Sequence, residues 1–459
     1  MTVYYEQQSG TQSKRPIFFD NQTLRIPNQE IQKRRIQPSK MFLIKEELKV
    51  FAKNNPNEML YDASQGDGGA SLGGIPKEEL AAALLNYLPQ TGSTKYGNPI
   101  GREDVRQAIV QNYYGCSNVV PDQVIMGDGG RDLLQKWYQL IVQGVGSIGG
   151  SVIVSAAPWG SYMQGTYMNG LNTILAPGNA DQGFCLTKDG IDCAITYAKE
   201  QGHPAVALVI TSPDNPTGNY LAIEHIRSLI QHAVERGVSY VLVDLMYQAV
   251  TDPEVGMYDI NGLLKSLSVK ERSCVFFLDG LTKSVGGSNV RSCHLVCGSI
   301  EHSSLLKGLA THSVLPNVLG EAASLEVYGH ESPLLHPWVQ RVVVPTAQSR
   351  AYLRSSLPEK GFHFIMGQGY YAFINVWPWI GTRLPQGEWI IDPVDASQTN
   401  EITTVAHLKS YLAQKMGLAV IHGSVFRQPD FIRFSYANTP SYVQRALERL
   451  EVGVQRLRS

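Results

Sequence analysis

No uninterrupted apolar run in this chain of 459 residues approaches the roughly 20 residues that a membrane-crossing helix needs. A membrane partner is therefore not expected. An excess of one charge is missing too: 39 Lys and Arg stand against 40 Asp and Glu, a formal charge of −1. That balance is too even to imply nucleic acid or an anionic lipid surface through bulk charge. Cysteine is scarce, with six residues (Cys116, Cys185, Cys193, Cys274, Cys293, Cys297) and no CxxC, which excludes a small disulfide-stapled scaffold and predicts reduced, mostly buried thiols. The 11 histidines are dispersed, and the helical pair His225 and His232 has no third ligand in view, so a zinc site is not expected. Cys293, His294 and Cys297 fall in one apparent strand and read as packing. The polar N-terminus lacks the apolar stretch of a secretory signal, and the expected location is the cytoplasm. Repeats, low-complexity tracts and Pro- or Ser-rich linkers are absent as well.

What is present is ordinary globular material: 43% hydrophobic and 17% charged residues, with length enough for two or more lobes at roughly 100–200 residues each. From about Tyr96 to Leu325 short apolar runs alternate with helical stretches: VIVSA from Val152, AVALVIT from Ala205, YVLVD from Tyr240, CVFFLD from Cys274 and HLVCG from His294. This alternation predicts an α/β lobe with a mainly parallel sheet flanked by helices. One intervening segment sets Ile223, Ile226, Ile230, Ala233 and Val234 on a single face and stops near Gly237. Beyond about Pro345, YYAFINV from Tyr370, HLKSYLAQKMG from His407 and FIRFSYA from Phe431 mix strand and helix, as in a smaller α+β lobe. The predicted division is an N-terminal arm over 1–45, a small domain over 46–92 and 341–459, and a large domain over 93–340.

Ligands of open α/β sheets bind outside the carboxyl ends of the strands, so polar residues there carry the most information. AVALVIT runs into SPDNPTG and delivers Asn215; YVLVD ends in Asp244 with Tyr247 three residues on; CVFFLD is followed by GLTK and delivers Lys283, with Arg291 eight residues later. Taken singly, NPTG is a good turn, an Asp at a strand end caps helices, and a Lys is usually solvated. Turns and caps have no reason to produce all of them in this order.

In that order they resemble the fold-type I pyridoxal 5′-phosphate enzymes, specifically the class I/II aminotransferase family related to aspartate aminotransferase, over nearly the whole chain after about Leu60. The resemblance implies the PLP-dependent transferase fold and PLP as cofactor. It implies that Lys283 forms the internal aldimine, that Asp244 pairs with the pyridine nitrogen, that Asn215 and Tyr247 hydrogen-bond the phenolic oxygen, and that Arg291 holds the phosphate. A carboxylate beside that nitrogen favours its protonated form and makes the ring a better electron sink, and a freed lysine amine over Cα can carry the proton.

Upstream, Gly129, Gly130 and Arg131 open a helix bearing Leu133, Leu134, Trp137 and Ile141. Glycines at a helix N-terminus suit a phosphate, although a tight turn would look the same; the family places its phosphate segment here. SAAPWGSYMQ resembles the segment whose aromatic ring stacks on the cofactor, with Trp159 as the ring and Tyr162 as the weaker candidate. GSVFRQPDFIRFSYA resembles the segment of the carboxylate-binding arginine, at Arg433, which would otherwise be a surface arginine on a strand's polar face. Gly66 resembles the glycine beside the substrate carboxylate, and Tyr96 matches the position that reaches a neighbouring subunit's phosphate, implying a homodimer with shared active sites.

Departures from the family pattern are Gly280 where Ser is frequent, Leu245 where Glu is frequent, and His422 where Pro is usual, while Asp67 could face a cationic substrate group. The function expected is amino-group transfer from an L-amino acid to a keto acid. The alternatives are elimination, cyclisation, decarboxylation or oxidation with the same cofactor machinery, and a noncatalytic ligand sensor built on the fold.

Overall fold

Val, Ile, Leu and Phe fill both faces of the central strands, which is the composition of a sheet covered on each side. In the strand Tyr240–Asp244, Val241 and Val243 face one core and Leu242 the other; in Val275–Gly280, Phe277 faces the first and Phe276 and Leu278 the second. In a computed structural model describing residues 17–19, 43–66, 68–91, 95–145, 149–392 and 396–457, these strands form one eight-stranded sheet. Its order is Ile17–Phe19, Asn172–Leu175, Ser151–Val154, Ala205–Thr211, Tyr240–Asp244, Val275–Gly280, Cys293–Cys297, Val124–Gly127. The middle five strands are parallel, whereas Ile17–Phe19 at one edge and Cys293–Cys297 against its neighbours at the other pair antiparallel. The predicted mainly parallel sheet is present, with antiparallel edges that hydrophobic periodicity has no means of showing.

Helices close both faces. Gly130–Val145 buries Leu133, Leu134, Trp137, Tyr138 and Ile141 against Phe276 and Leu278, each such side chain contributing about 1.5–3 kcal/mol through removal from water. Ile223–Glu235 sets Ile226, Leu229, Ile230 and Ala233 on the opposite face and ends two residues before Gly237, whose φ of 92° only glycine adopts freely.

A second sheet joins Phe364–Ile365, Tyr371–Asn375, Phe431–Ser435 and Ile421–His422, all antiparallel, over a separate core with Ile374, Ile432, Phe434, Leu408, Leu412 and Leu447. The helix Leu43–Asn54 packs on Val405–Met416, and Tyr61–Asp62 pairs with Leu418–Ala419, whereas Lys77–Thr91 places Ala83 and Tyr87 in a core of the large sheet. Apart from Ile17–Phe19 and the first residues of the helix Leu43–Asn54, the expected arm lies outside the described residues, as does Asp67. Cys274, Cys293 and Cys297 are buried, the other three cysteines half-buried, and all six are free. Among the described residues no helix is long and apolar enough to cross a membrane.

Candidate active site

Three neighbouring parallel strands end side by side, and each end turns a polar group into the same crevice. Asp244, the last residue of its strand, is 4% exposed. Its Oδ2 accepts from the Tyr162 hydroxyl at 2.7 Å and its Oδ1 from the Met246 N–H at 3.1 Å. Burial pushes this carboxyl up to about 6, with the two hydrogen bonds and the Lys283 charge pulling the other way. A folded value above the unfolded one, 3.8, means that the stability this group contributes is present below about pH 4 and lost as pH rises through about 6. A cation placed against Asp244 would remove that loss.

Lys283 sits on the short helix Leu281–Ser284. Its Nζ donates to the Gly66 carbonyl at 2.7 Å and lies 5.7 Å from the centre of the Tyr247 ring. The Tyr247 hydroxyl meets that of Tyr371 at 2.9 Å. Gly66 has room for no side chain, because a Cβ there would fall into the Tyr371 phenol.

Arg433 is 3% exposed, so it is not the surface arginine that its alternating strand allows. The alternation itself holds, with Ile432 and Phe434 in the second core and Arg433 on the other face. Nη1 donates to Asn215 Oδ1 at 2.8 Å and Nη2 to the Ser64 carbonyl at 2.7 Å, while the ring of Tyr371 lies 4.2 Å from the guanidinium carbon. Its Nε is buried with no hydrogen-bond partner. One loop, Ser64–Gly66, thus receives both cations, and a buried donor is left for an anion.

At the other end of the crevice the strand Val124–Gly127 runs through Gly129 into the helix Gly130–Val145. Gly129 has φ 87°, and a Cβ there would fall into the Arg291 guanidinium. Arg291 itself has φ 56° and donates through Nη2 to the Asp128 carbonyl at 3.1 Å, and Asn317 ties the Asp128 side chain at 2.7 Å. A guanidinium held against a helix N-terminus is a receptor for a phosphate. Gly129→Ala is expected to cost about 1–3 kcal/mol of stability through the positive φ, measurable by urea unfolding, and to loosen anion binding by displacing Arg291.

Trp159 sets its ring 5.4 Å from that of Tyr162, nearly perpendicular, and 5.7 Å from the Arg131 guanidinium carbon; Arg131 is exposed. Tyr96, 96% exposed, does not pack into the buried cluster of its own chain. Gly280 leaves no space for the Ser frequent at its position: a Cβ would come within 2.5 Å of the Cys293 Cα and 2.6 Å of the Ser292 carbonyl oxygen. One residue escaped the sequence reading, and another has a contact that the reading did not give it. Tyr371 lies on the Arg433 face of the second sheet, a placement that depends on which strands pair, and Tyr162, named as the weaker stacking candidate, donates its hydroxyl to Asp244. The carbonyls of Ser64 and Gly66 leave no side-chain signal in the sequence.

The model of the "Aminotransferase class I and II" family matches residues 67–450. Among individual proteins, an aspartate aminotransferase of Bacillus sp. (strain YM-2) is 24% identical over 381 residues, 82% of this chain and 87% of the relative. An aspartate/prephenate aminotransferase of Thermus thermophilus is 23% identical over 377 residues, 81% and 86% of the two chains. Among solved structures, the aspartate aminotransferase from Rhizobium meliloti superposes with a TM-score of 0.76 at 20% identity, covering 94% of this chain and 99% of that one. The Thermus thermophilus aspartate aminotransferase with maleate gives 0.73 at 21% identity, with 94% and 100% covered. These two likenesses show the same fold.

Proposed function

The chain belongs to the class I and II aminotransferase family, and from that premise we propose that the crevice lined by Lys283, Asp244, Tyr247, Asn215, Arg433 and Arg291 is its active site. The enzyme is a pyridoxal phosphate-dependent aminotransferase. Its residues fit that cofactor at both ends: a buried carboxylate raised to about 6 awaits a cationic ring nitrogen, and Gly129 leaves the helix N-terminus open to the Arg291 guanidinium, a dianion's receptor. When bound, the cofactor supplies a carbonyl that carries the amino group and a ring that accepts the electron pair of the broken Cα–H bond.

The protein's own groups do the rest. Arg433, braced by Asn215 and the Ser64 carbonyl, grips the substrate α-carboxylate and fixes the direction of the Cα–H bond; its unpaired Nε is the donor that this carboxylate would satisfy. Lys283 takes the proton from Cα and returns it, its flexible stem letting the amine leave the Gly66 carbonyl. Tyr247 donates its hydroxyl, poised by Tyr371, toward the cofactor's phenolic oxygen. Gly129, Gly130, Arg131 and Arg291 receive the phosphate, Trp159 covers the ring, and Gly66 lets backbone lie close to the substrate. Tyr96, standing out into solvent, reaches the phosphate of a second copy, so the working unit is a homodimer. We propose two lobes as in the sequence reading, but with Lys77–Thr91, assigned there to the small domain, joined to the large lobe, whose core takes in Ala83 and Tyr87.

The observation that carries this reading is the meeting of Lys283 and Arg433 under one loop, from opposite sheets. The test mixes purified holoenzyme with single amino acids, aspartate first because the relatives bear that name, with and without keto acids. Amine transfer that requires the acceptor is expected; ammonia or a ring-closed product without acceptor would replace transfer by elimination or cyclisation.

A further inference from the structure

Four residues before Lys283, in the strand Val275–Gly280, stands a carboxylate that the mechanism above does not use. Asp279 is 1% exposed and accepts three hydrogen bonds: Oδ2 from the Tyr113 hydroxyl at 2.7 Å and from Gln248 Nε2 at 2.6 Å, and Oδ1 from the Gly280 N–H at 2.7 Å. The placement of the donors is what matters. Gln248 directly follows Tyr247, and Gly280 opens the turn that carries Lys283. One side chain therefore ties together the two segments that bear the reacting lysine and its neighbouring tyrosine. Tyr113 ends a π-helical turn, Ile109–Tyr113, a widening of the helix that brings both Tyr113 and Tyr114 to the sheet; the Tyr114 hydroxyl meets His294 Nε2 at 2.8 Å.

We propose that Asp279 is a positioning residue for the reaction, its carboxylate clamping the turn of Tyr247 to the turn of Lys283 so that the lysine amine is held in register with Tyr247 and Asp244. This rests on the assignment of Lys283 and Tyr247 above. The groups facing Asp279 are Tyr113 and Tyr114 from the helical turn, Tyr328 from the helix Val318–Tyr328, His294 and Cys293 from the strand Cys293–Cys297, and Asp244. Burial holds His294 down to about 3, so it is uncharged at neutral pH and offers Asp279 no counter-ion. Burial pushes Asp279 up to about 7, against its three hydrogen bonds. Its folded value lies above its unfolded one, so its contribution to stability, full below about pH 4, is lost as pH rises through about 7. As a charged group it weakens the fold. Protonating it alters the clamp, and with it the setting of Lys283. The Gln248 Oε1, His294 Nδ1 and Tyr328 hydroxyl are buried without hydrogen-bond partners.

The test compares Asp279→Asn and Tyr113→Phe with the wild type. In cofactor-free protein, labelling of Lys283 by an amine-selective reagent is followed against pH with peptide mapping. In holoenzyme, the pH midpoint of cofactor absorbance, kcat and KM are measured. The expected result for Asp279→Asn is a shifted labelling midpoint, a shifted absorbance midpoint and a kcat reduced about tenfold or more, as small misplacements of a reacting group produce, with KM within about twofold because Arg433 and Asn215 are untouched. Tyr113→Phe is expected to move the labelling midpoint in the same direction by less. Unchanged midpoints and kcat in a folded Asp279→Asn overturn the inference; should that variant not fold, an unchanged labelling midpoint in Tyr113→Phe overturns it. A wild type that takes up no cofactor at Lys283 overturns the assignment itself, and the inference with it.

Discussion

Lys283→Ala is expected to abolish the borohydride-reducible link to the cofactor and to lower turnover by at least the roughly 10²–10⁴-fold that loss of a general acid/base produces. The protein should still fold. Lys283 is half-buried on a four-residue helix, and among the described residues its Nζ makes one hydrogen bond, to the Gly66 carbonyl, which solvent can also satisfy. Melting of the cofactor-free variant close to wild type, together with lost exchange at Cα, separates a chemical role from a structural one. Near-normal turnover would remove Lys283 from the mechanism.

Asp244→Asn is the second large effect. The amide keeps the volume of the carboxylate, and the two donors it must accommodate are adjustable: Met246 N–H can stay on the amide oxygen, while the Tyr162 hydroxyl can swing to Thr211 Oγ1, 3.0 Å away. Folding is thus spared, and the cofactor-free variant should lose part of the fall in stability between about pH 4 and pH 6 that the buried carboxyl causes. What disappears is the negative charge that, on the proposed assignment, faces the ring nitrogen. Removing one partner of a buried charge pair costs about 3–5 kcal/mol, or roughly 10²–10⁴ in rate where that pair supports the reacting state. Exchange of the substrate Cα proton, followed by NMR, is expected to slow by that order. Exchange at the wild-type rate would take the electronic role away from Asp244.

Much of this site was legible in the sequence for a simple reason. An open parallel sheet aims the ends of its strands at one crevice, so Asn215, Asp244 and Lys283 announce themselves as polar residues after apolar runs. Arg433 was visible through the resemblance of its segment to the family's, whereas alternation with Ile432 and Phe434 allowed a surface arginine, and only the fold reveals that its face is covered rather than wet. The remainder depends on partners distant in the chain. Tyr371 becomes part of the site because its strand pairs with that of Arg433, and periodicity carries no information on which strands pair. The antiparallel strands at the sheet edges are hidden for the same reason. Asp279 closes the run CVFFLD and carries no signal of its own there; the proposed clamp lies in Gln248 and Tyr113, 31 and 166 residues away.

The central claim is that the carbonyl of the cofactor is tethered to Lys283 beside Asp244. Reducing the holoenzyme with borohydride, digesting it and sequencing the peptides by mass spectrometry tests it directly. A phosphopyridoxyl group on Lys283 alone is the result predicted here; the label on another lysine, or on none in a preparation that still transfers amino groups, would contradict it.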